Sequence, residues 1–597
     1  MSPSGSDGAG RRPRLASLWS KHRARWTLPL VIIFVIGLVA VVDHLGSHRI
    51  RQVDALSTSP LVDATGGAVT VELDHPWSGF NPNTPAGAGS STPTLMSSVL
   101  PSAYVISPKL ISEVNTNLLV SVEATSTTPL IIQYVINPRA VWSDGVPVSA
   151  DDFIYAWQSQ RGDGVDVTGR PDQVSSTLGY RDVASVTPSG GGKTVTVKFS
   201  TPYTDWRDMF NHMVPAHIAK QVGWNHGFDN FSPAIDLSAG PMMVRSVSPT
   251  GTAVLVRNPR WWGTPAVVDK VTVNVAPSAS TWSGTLVRGS HAAVQPLDVD
   301  LRSLDAVSSL PDTQSVVKPS LRLLDLEFNV ASPVMSRLAA RQAVAHAINR
   351  TELLNRMFGA IEPDLVVNQD HLATASQAIY NPSSAAGEYS TRDAPTTDRL
   401  LRSIAYHQNL SGQYVDAYGV PLTLRMAVLT GDPWIMSLAS EISSQLHQLG
   451  IGVQTIPVGN KAALATAAAN DGYDMALVTR LSGPFATVTA AWYSDGPRSI
   501  GPNGTEDWSN FDDPQVDQLF SQAAQALNPV TGGAIYGQID DQLWDQMVAL
   551  PLFAEPGFEA NGVQLANAQY NPSADGILWN VSLWTTLKPG PSDRQTS

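Results

Sequence analysis

The clearest hydrophobic pattern in the chain lies between Leu130 and Arg161. Its first residues, Leu130 to Ile136, are rich in β-branched and aromatic side chains and predict a strand. A turn is expected at Trp142 to Gly145, because glycine adopts positive φ at little cost. Ser149 and Asp152 stand three apart, directly ahead of an apolar helical stripe, which is the spacing of a capping box. The pattern therefore predicts a strand, a tight turn and a capped helix.

Two further stretches have the alternating pattern of β-hairpins. One runs from Tyr180 to Phe199, and the other pairs Met242 to Val247 with Ala253 to Val256 across a Pro-Thr-Gly turn. The turn of the first hairpin, Gly190 to Thr194, also resembles a phosphate-binding loop. Position 187 is threonine where that loop needs its first glycine, and a hairpin lacks the helix N-terminus that holds phosphate. We therefore exclude a phosphate loop.

A strand–helix–strand order is predicted in the second half of the chain. Pro421 to Leu429 and Ile451 to Val458 read as strands, and Trp434 to Leu449 between them has an apolar helical stripe. Two strands joined in this way need a crossover connection and pair in parallel. Further elements are predicted as strands at Val69–Leu73, Leu323–Asn329 and Tyr473–Val478, and as helices over Ser336–Gly359, from Asp513, and over Ala534–Met547.

The N-terminus carries a targeting signal. Several Arg and Lys residues precede an uncharged apolar run from Leu28 to Val42. This order predicts a cytoplasmic basic segment at 1–26, a single transmembrane signal anchor at 27–45, and an extracytoplasmic tether at 46–67. The run is shorter than the ~20 residues of a typical spanning helix, so a cleaved signal peptide is the alternative. No small-residue cleavage site follows it, and we predict that the anchor is retained.

Composition and motifs argue against several function classes. The chain has 597 residues and a net charge of −13, which argues against nucleic acid as a partner. It has no cysteine, which excludes disulfides, cysteine-ligated metals and a lipidated cysteine. No hydrolase or metalloprotease motif is present, and Pro215 separates His212 from His217. Asp151-Asp152 fits a helix first turn better than acid–base chemistry. We expect no enzyme activity, no catalytic residue, no cofactor and no metal.

Several segments together resemble one protein family. The segments are Trp142–Trp157, Ser238–Trp262, Arg341–Arg350 and Leu550–Phe553. They are similar to the signatures of family 5 extracellular solute-binding proteins, which are the dipeptide-, oligopeptide- and nickel-binding subunits of ABC importers. The resemblance covers about Val69 to Trp584. Three other segments, VELDHPWSGFNPNTP, VLPSAY and TPYTDWRDMFNHMVPAHI, look like a mycobacterial branch of cell-wall lipoproteins linked to phosphatidylinositol mannoside and lipoarabinomannan biosynthesis.

The resemblance implies an α/β fold of the periplasmic-binding-protein type, class II, with two lobes around a ligand cleft and an extra subdomain. It predicts lobe I at 68–319 with a subdomain at about 110–235, lobe II at 320–528, and a return to lobe I at 529–590. Ligands of open α/β sheets bind beyond the carboxyl ends of strands. This rule predicts that Asn329 and Arg480, which end two strands, face the same cleft and bind the ligand. The family resemblance adds Trp77, Phe80 and Asn81, because the loop after the first strand borders the cleft in that family, and Phe485 and Trp492 are predicted as aromatic residues that suit a glycolipid ligand. For the aromatic residues, packing within a lobe is the alternative.

Arg480 leads to an expectation about the ligand. In peptide-binding members an aspartate pair follows the corresponding strand and holds the ligand's ammonium group, whereas this chain has TRLSGPFATVTAAWYSDG there, with Arg480 near the acidic position. An ammonium group beside an arginine is disfavoured, so an anionic or neutral ligand is expected.

The predicted function is a monomeric, single-pass, membrane-anchored solute-binding protein of a peptide-type ABC transport system, with a small-molecule, peptide or glycolipid ligand and with permease and ATPase partners. The alternative is a non-transport binding or regulatory protein of envelope glycolipid biosynthesis.

Overall fold

The computed structural model describes residues 61–64, 66–232, 237–288, 291–297, 301–359, 365–430, 433–494 and 507–589. The basic segment, the predicted anchor and most of the tether lie outside these residues, so the membrane anchor stays a prediction. Within the described ranges, no helix has the length and apolar character needed to cross a bilayer.

The first described elements belong to the first lobe. Strand β2 extends where the alternation of valines predicts it, and its side chains at Val69, Val71 and Leu73 are buried. The elements are β1 (Leu61–Ala64), β2 (Ala68–Leu73), α1 (Pro85–Ala88), α2 (Thr92–Met96), β3 (Tyr104–Ile106) and β4 (Ser112–Val114).

A separate antiparallel sheet follows, inside the predicted subdomain. Its strand order is β5-β6-β8-β7, and helix α3 packs on it. The predicted strand over Leu130–Ile136 and the hairpin of Tyr180–Phe199 are both confirmed. The elements are β5 (Leu119–Thr127), β6 (Leu130–Ile136), α3 (Ala150–Gln160), β7 (Val183–Ser189) and β8 (Thr194–Phe199).

The turn and cap before α3 have their predicted geometry. Gly145 has a φ of +96°, and its N–H donates to the Trp142 carbonyl over 2.8 Å. Ser149 Oγ accepts from Asp151 N over 3.2 Å, while Asp152 Oδ2 accepts from Ser149 N over 2.9 Å, and this reciprocal pair is a capping box. The second oxygen of Asp152 accepts from a further backbone N–H, so this carboxylate has a structural role.

The glycine-rich turn of the first hairpin ends in a structural lysine. Lys193 Nζ donates to the carbonyls of Asn137, Ala140 and Val148 over 3.3, 3.1 and 2.7 Å. Burial lowers the pKa of Lys193. Its ammonium group therefore joins the turn to the loop that leads into α3.

The sheet of the first lobe is completed by the second predicted hairpin. Strands β9 and β10 pair antiparallel, β11 joins them, and β2 then pairs in parallel with both β11 and β12. The elements are α4 (Ala216–Val222), β9 (Met242–Val247), β10 (Ala253–Arg257), β11 (Lys270–Val275), α5 (Ala279–Arg288), β12 (Ala292–Val294) and α6 (Leu301–Ser308).

The second lobe contains the predicted strand–helix–strand unit, and its parallel pairing is confirmed between β16 and β17. The elements are β13 (Thr313–Phe328), α7 (Leu338–Ala347), α8 (Arg350–Phe358), α9 (Ala394–Ser403), β14 (His407–Gln408), β15 (Tyr414–Val415), β16 (Thr423–Leu429), α10 (Pro433–Gln448), β17 (Gly452–Val458), α11 (Lys461–Ala469), β18 (Met475–Leu481), α12 (Ala490–Tyr493), α13 (Pro514–Gln525), α14 (Pro529–Gln546) and β19 (Ala549–Gly562).

The chain ends on the first lobe. Strands β20 (Leu565–Ala566) and β21 (Thr585–Pro589) form a small sheet with β1, and the segment Ile577–Leu583 contributes buried side chains to the core that also contains β2. Helix α14, which the sequence analysis grouped with this return, instead buries its apolar side chains with those of α13 and α12. The predicted boundary at residue 529 thus falls before a helix whose packing partners are in the second lobe.

Ten strands form one mixed sheet that passes through both lobes, in the order β17-β16-β18-β13-β19-β12-β2-β11-β10-β9. One large apolar core lies against the β2 side and includes the subdomain, and another lies beneath β13, β16 and β18. The strands β13 and β19 stand between them, so the two cores are joined through these two strands.

Candidate functional site

Two neighbouring strands carry the chain from one lobe to the other. Strand β13 pairs antiparallel with β19, and their register is interrupted between Pro319 opposite Pro556 and Leu323 opposite Ala554. Three residues of β13 thus face the single residue Glu555. Proline has no N–H to donate to the ladder, and an irregular register bends a strand, so this crossing is the natural hinge of the molecule.

Charged groups join the two strands at the crossing. Arg322 Nε donates to Glu555 Oε2 over 2.6 Å, and Thr479 Oγ1 donates to Glu555 Oε1 over 2.6 Å. Glu555 is buried, while Arg322 is partly exposed. The carboxylate of β19 is therefore fixed by side chains of β13 and β18, which are its neighbours in the second lobe.

A buried ionic cluster lies on one face of the second-lobe sheet. Arg480 on β18 stands opposite Leu323 on β13, and Asp325 and Glu327 follow at alternate positions of β13, which places all four side chains on one face. Arg480 Nε is 3.7 Å from Asp325 Oδ2, and Arg480 Nη2 contacts Glu327 Oε1. All three charged side chains are fully buried.

Aromatic rings enclose this cluster. The Arg480 guanidinium carbon lies 5.2 Å from the centre of one ring and 5.0 Å from each of two others, which belong to Trp492, Tyr493 and Trp508. Such distances are typical of cation–π contacts. The Arg480 guanidinium therefore contacts two carboxylates and three aromatic rings.

The cluster holds more negative charge than positive charge when both carboxylates are ionised. Burial raises the pKa of Asp325 to about 6, against the lowering effect of Arg480 and His371. Asp325 Oδ1 and Glu327 Oε2 accept no hydrogen bond from any side chain or backbone group that the structure describes. Buried carboxylate oxygens in this state favour a hydrogen-bond donor, above all a cationic donor.

The lobes also touch through a loop far in sequence from the hinge strands. Tyr203 Oη and Thr487 Oγ1 are 2.9 Å apart, and Thr487 N donates to Asp205 Oδ2 over 3.0 Å. Thr204 contributes two more bonds of 2.8 Å, from its N to Ala524 O and from its Oγ1 to Ala526 O. Because these contacts join residues of the two cores, they describe an arrangement in which the lobes are closed on each other.

The predicted residues of the first lobe lie in the loop after β2. Trp77 is partly exposed and packs on the large core, and Phe80 is buried with its ring 6.0 Å from Phe231. Asn81 is buried, and its Oδ1 accepts from Asn83 N over 3.1 Å, which makes it part of the turn. Phe80 therefore packs within its lobe, which is the alternative stated for the aromatic residues.

The predicted residues of the second lobe do not all come together. Trp492 lies over Arg480, and Phe485 precedes a 3₁₀ turn and is half-buried. Asn329 is elsewhere: its Nδ2 donates to Tyr473 O over 3.0 Å. Because β13 and β18 are antiparallel, the end of one strand is next to the start of the other, and Asn329 is about 20 Å along β13 from Arg480. The structure therefore does not bring Asn329 and Arg480 together.

Sequence reasoning did not identify Asp325, Glu327, Tyr493 or Trp508. A signal for the carboxylates exists, since two acidic residues occupy alternate positions of the otherwise apolar stretch LLDLEF. Charges on one face of a buried strand need partners. Their partner on β18 becomes identifiable only once the strand pairing is known.

Comparison with known proteins identifies the family. The model of bacterial extracellular solute-binding proteins, family 5 (middle region), matches residues 113–501. The chain belongs to this family. As a family 5 member it is an extracytoplasmic solute-binding protein and not an enzyme. Within the described residues, no cluster of three His, Asp or Glu side chains is placed to hold a metal ion.

Individual relatives support the fold and leave the branch open. The oligopeptide-binding protein OppA of Mycobacterium tuberculosis is 27% identical over 522 residues, covering 86% of this chain and 84% of OppA. The probable monoacyl phosphatidylinositol tetramannoside-binding protein LpqW of the same organism is 26% identical over 460 residues, covering 71% of this chain and 70% of LpqW. These nearly equal identities do not assign the chain to the predicted LpqW-like branch.

Solved structures agree in fold. The periplasmic EDTA-binding protein EppA superposes with a TM-score of 0.78 at 24% identity, covering 90% of this chain and 99% of that chain. The oligopeptide-binding protein AppA from Bacillus subtilis, in complex with a nonapeptide, gives a TM-score of 0.69 at 16% identity over 88% of this chain and 100% of that chain. The predicted two-lobe α/β fold is therefore confirmed.

Proposed function

We propose that this chain is the solute-binding component of a peptide-type ABC transport system and that it encloses its ligand between the two lobes. The observation that carries the proposal is the pair of adjacent strand crossings at Pro319 and Pro556, together with the second contact between the lobes at Thr487. Two crossings restrict the lobes to a hinge motion, and a hinge lets a ligand enter and be enclosed. The similarity to OppA supports a peptide-like solute.

We propose further that the ligand presents an ammonium group to Asp325 and Glu327. The expectation of an anionic ligand rested on the charge of Arg480, and that charge is offset by these two carboxylates. The cluster therefore does not repel a cation. Its free carboxylate oxygens and aromatic walls suit the N-terminus of a short peptide.

The predicted ligand-binding residues divide accordingly. We propose that Arg480 orients the carboxylates, that Trp492 forms a wall of the site, and that Trp77 and Phe485, which are partly exposed, contact the ligand. Phe80 and Asn81 shape the loop that carries Trp77. Asn329, at the far end of β13, is left out of the site.

We propose lobe boundaries that follow the cores. Lobe I comprises 68–319 and 556–589, with the subdomain inside the first of these segments, and lobe II comprises 320–555. The buried side chains of α14 and of residues 549–553 belong with the second lobe, which supports moving the return from 529 to 556. The cytoplasmic segment 1–26, the anchor at 27–45 and the tether at 46–67 stay part of this proposal.

Calorimetry on the detergent-solubilised full chain tests the ligand class. Trialanine and N-acetyl-trialanine differ in the ammonium group alone, and we expect the acetylated peptide to bind at least about tenfold more weakly, the effect of one charged hydrogen bond. Asp325→Asn should weaken trialanine by a similar factor, whereas Glu72→Gln, at a buried carboxylate of lobe I that bonds Asn274 and Thr285, should not. Equal binding of the two peptides, or no binding of either, contradicts the proposal.

A non-transport role in envelope glycolipid metabolism is the second candidate. It is favoured by the 26% identity to LpqW, whose name gives it a mannosylated phosphatidylinositol ligand. In the same experiment, binding of phosphatidylinositol mannoside together with no heat from trialanine supports this candidate over a peptide importer.

A further inference from the structure

A polar groove lies wholly on the first lobe. It has a volume of about 470 Å³ and follows the first-lobe halves of β13 and β19, on the face opposite the small core of α5 and α6. None of its lining residues belongs to the segment 321–554. The residues that line it are Pro108, Gln314, Ser315, Val316, Lys318, Glu559, Asn561, Ala568, Gln569 and Tyr570.

Two buried acceptors lie at the base of this groove. Glu559 is 3% exposed and Asn561 is 9% exposed, and Asn561 Nδ2 donates to Glu559 Oε1. Glu559 Oε2 and Asn561 Oδ1 accept nothing from the residues that the structure describes. Two neighbouring buried oxygens without donors are costly unless a donor reaches them. The donor that suits them best is cationic, because one of the two oxygens belongs to a carboxylate.

A positive charge stands at the edge of the same groove. Lys318 is exposed and pairs with Gly557, two residues from Glu559 on the adjacent strand. Burial raises the pKa of Glu559 to about 7, against the lowering effects of the Asn561 hydrogen bond and the Lys318 charge. The groove therefore has at its base a carboxyl group that is ionised above about pH 7, and it has a cationic rim.

The ring of Tyr570 closes one end of the groove, and it fits there because residue 557 is a glycine. A Cβ at position 557 would overlap the Tyr570 hydroxyl, so glycine is needed for Tyr570 to lie against the strand. Burial and the nearby Glu559 raise the pKa of Tyr570, which keeps the phenol neutral. The ring therefore lines the groove near Glu559.

We propose that this groove binds a small zwitterion of the amino-acid class. Its ammonium group donates to Glu559 Oε2 and Asn561 Oδ1, and its carboxylate faces Lys318. A divalent metal ion fits less well, because the base supplies one carboxylate and one amide oxygen where such ions take six or more oxygens. The site is independent of the interlobe cluster, with which it shares no residue.

Saturation-transfer NMR on the full chain tests the proposal with three probes. L-alanine carries both charges, ethylamine only the ammonium group and propionate only the carboxylate. We expect transfer to L-alanine, weaker transfer to ethylamine and none to propionate. Glu559→Gln should weaken L-alanine at least about tenfold, because it removes a charged hydrogen bond. Lys318→Ala, an exposed and structurally safe change, should weaken L-alanine and leave ethylamine unchanged.

Asp325→Asn separates this groove from the interlobe site. The proposal holds if Asp325→Asn leaves L-alanine binding intact while Glu559→Gln reduces it. It is overturned if Asp325→Asn abolishes L-alanine binding and Glu559→Gln does not, since the probe then binds between the lobes. Absence of transfer to L-alanine in the unmodified chain also overturns it, whatever trialanine does in the calorimeter.

Discussion

Asp325→Asn should stabilise the protein at neutral pH, although it removes a buried charged residue that contacts an arginine. Asp325 lies fully buried beside Glu327, and the two carboxylates share the single charge of Arg480. Asparagine has nearly the same shape as a protonated aspartate. The substitution therefore leaves one cation and one anion in the cluster, where the unmodified chain has one cation and two anions.

The magnitude follows from the ionisation of Asp325. Its pKa is raised from 3.8 to about 6 in the folded protein, mainly by burial. The folded state thus binds more protons than the unfolded state between these values, so stability falls as the pH rises from about 4 to about 6. The cost is fully present above about pH 6 and amounts to about 3 kcal/mol, since each pKa unit is worth about 1.4 kcal/mol.

Urea unfolding followed by tryptophan fluorescence measures this effect. Asp325→Asn should raise the free energy of unfolding by up to about 3 kcal/mol near pH 7 and change it little near pH 4. Arg480→Met is the matched variant: it leaves two buried carboxylates without a cation and should cost about 3–5 kcal/mol near pH 7. A loss of stability in Asp325→Asn at pH 7, or an equal gain at both pH values, would refute the reasoning.

Three other substitutions test separate contacts. Lys193→Met leaves three carbonyls without their donor and should cost about 1–3 kcal/mol in thermal melting, while Lys198→Met, exposed on the strand that follows the turn, should cost little. Ser149→Ala removes the cap of α3 and should cost about 1 kcal/mol of unfolding free energy, measured with urea. Tyr203→Phe removes the hydrogen bond to Thr487 and should increase the radius of gyration of the unliganded chain in small-angle scattering; an unchanged radius contradicts the role of this contact in closure.

Local signals predicted local structure well. The strand Leu130–Ile136, the turn at Gly145 and the capping box of Ser149 and Asp152 all depend on residues a few positions apart, and each is found where the pattern indicated. Strand β13 shows the limit of such signals. It begins at Thr313, ten residues before the predicted start, because polar residues and Pro319 hide the period of its first half. Those residues are held in the strand by β19, which lies far away in the sequence.

The site was less predictable because the charges that it brings together depend on which strands pair across the sheet. Arg480 is recognisable in the sequence as an unusual charge near the end of a strand, but the sequence alone could not show which charges stand beside it. Asp325 and Glu327 come from a distant strand and reach Arg480 only through antiparallel pairing. The same direction of pairing separates Asn329 from Arg480. Strand direction thus decides which of these side chains lie beside Arg480.

The charge expected of the ligand is reversed for the same physical reason. A lone arginine in a cleft attracts phosphate or carboxylate, and an aspartate pair attracts an ammonium group. Here one arginine and two carboxylates occupy one enclosed face, so a ligand experiences their sum. That sum is negative or zero, according to whether Asp325 is ionised, and it becomes positive only if both carboxylates are protonated. With a pKa of about 6, Asp325 is ionised at neutral pH, so this cluster is negative whenever Glu327 is ionised too, which favours a cationic group over a phosphate as its ligand.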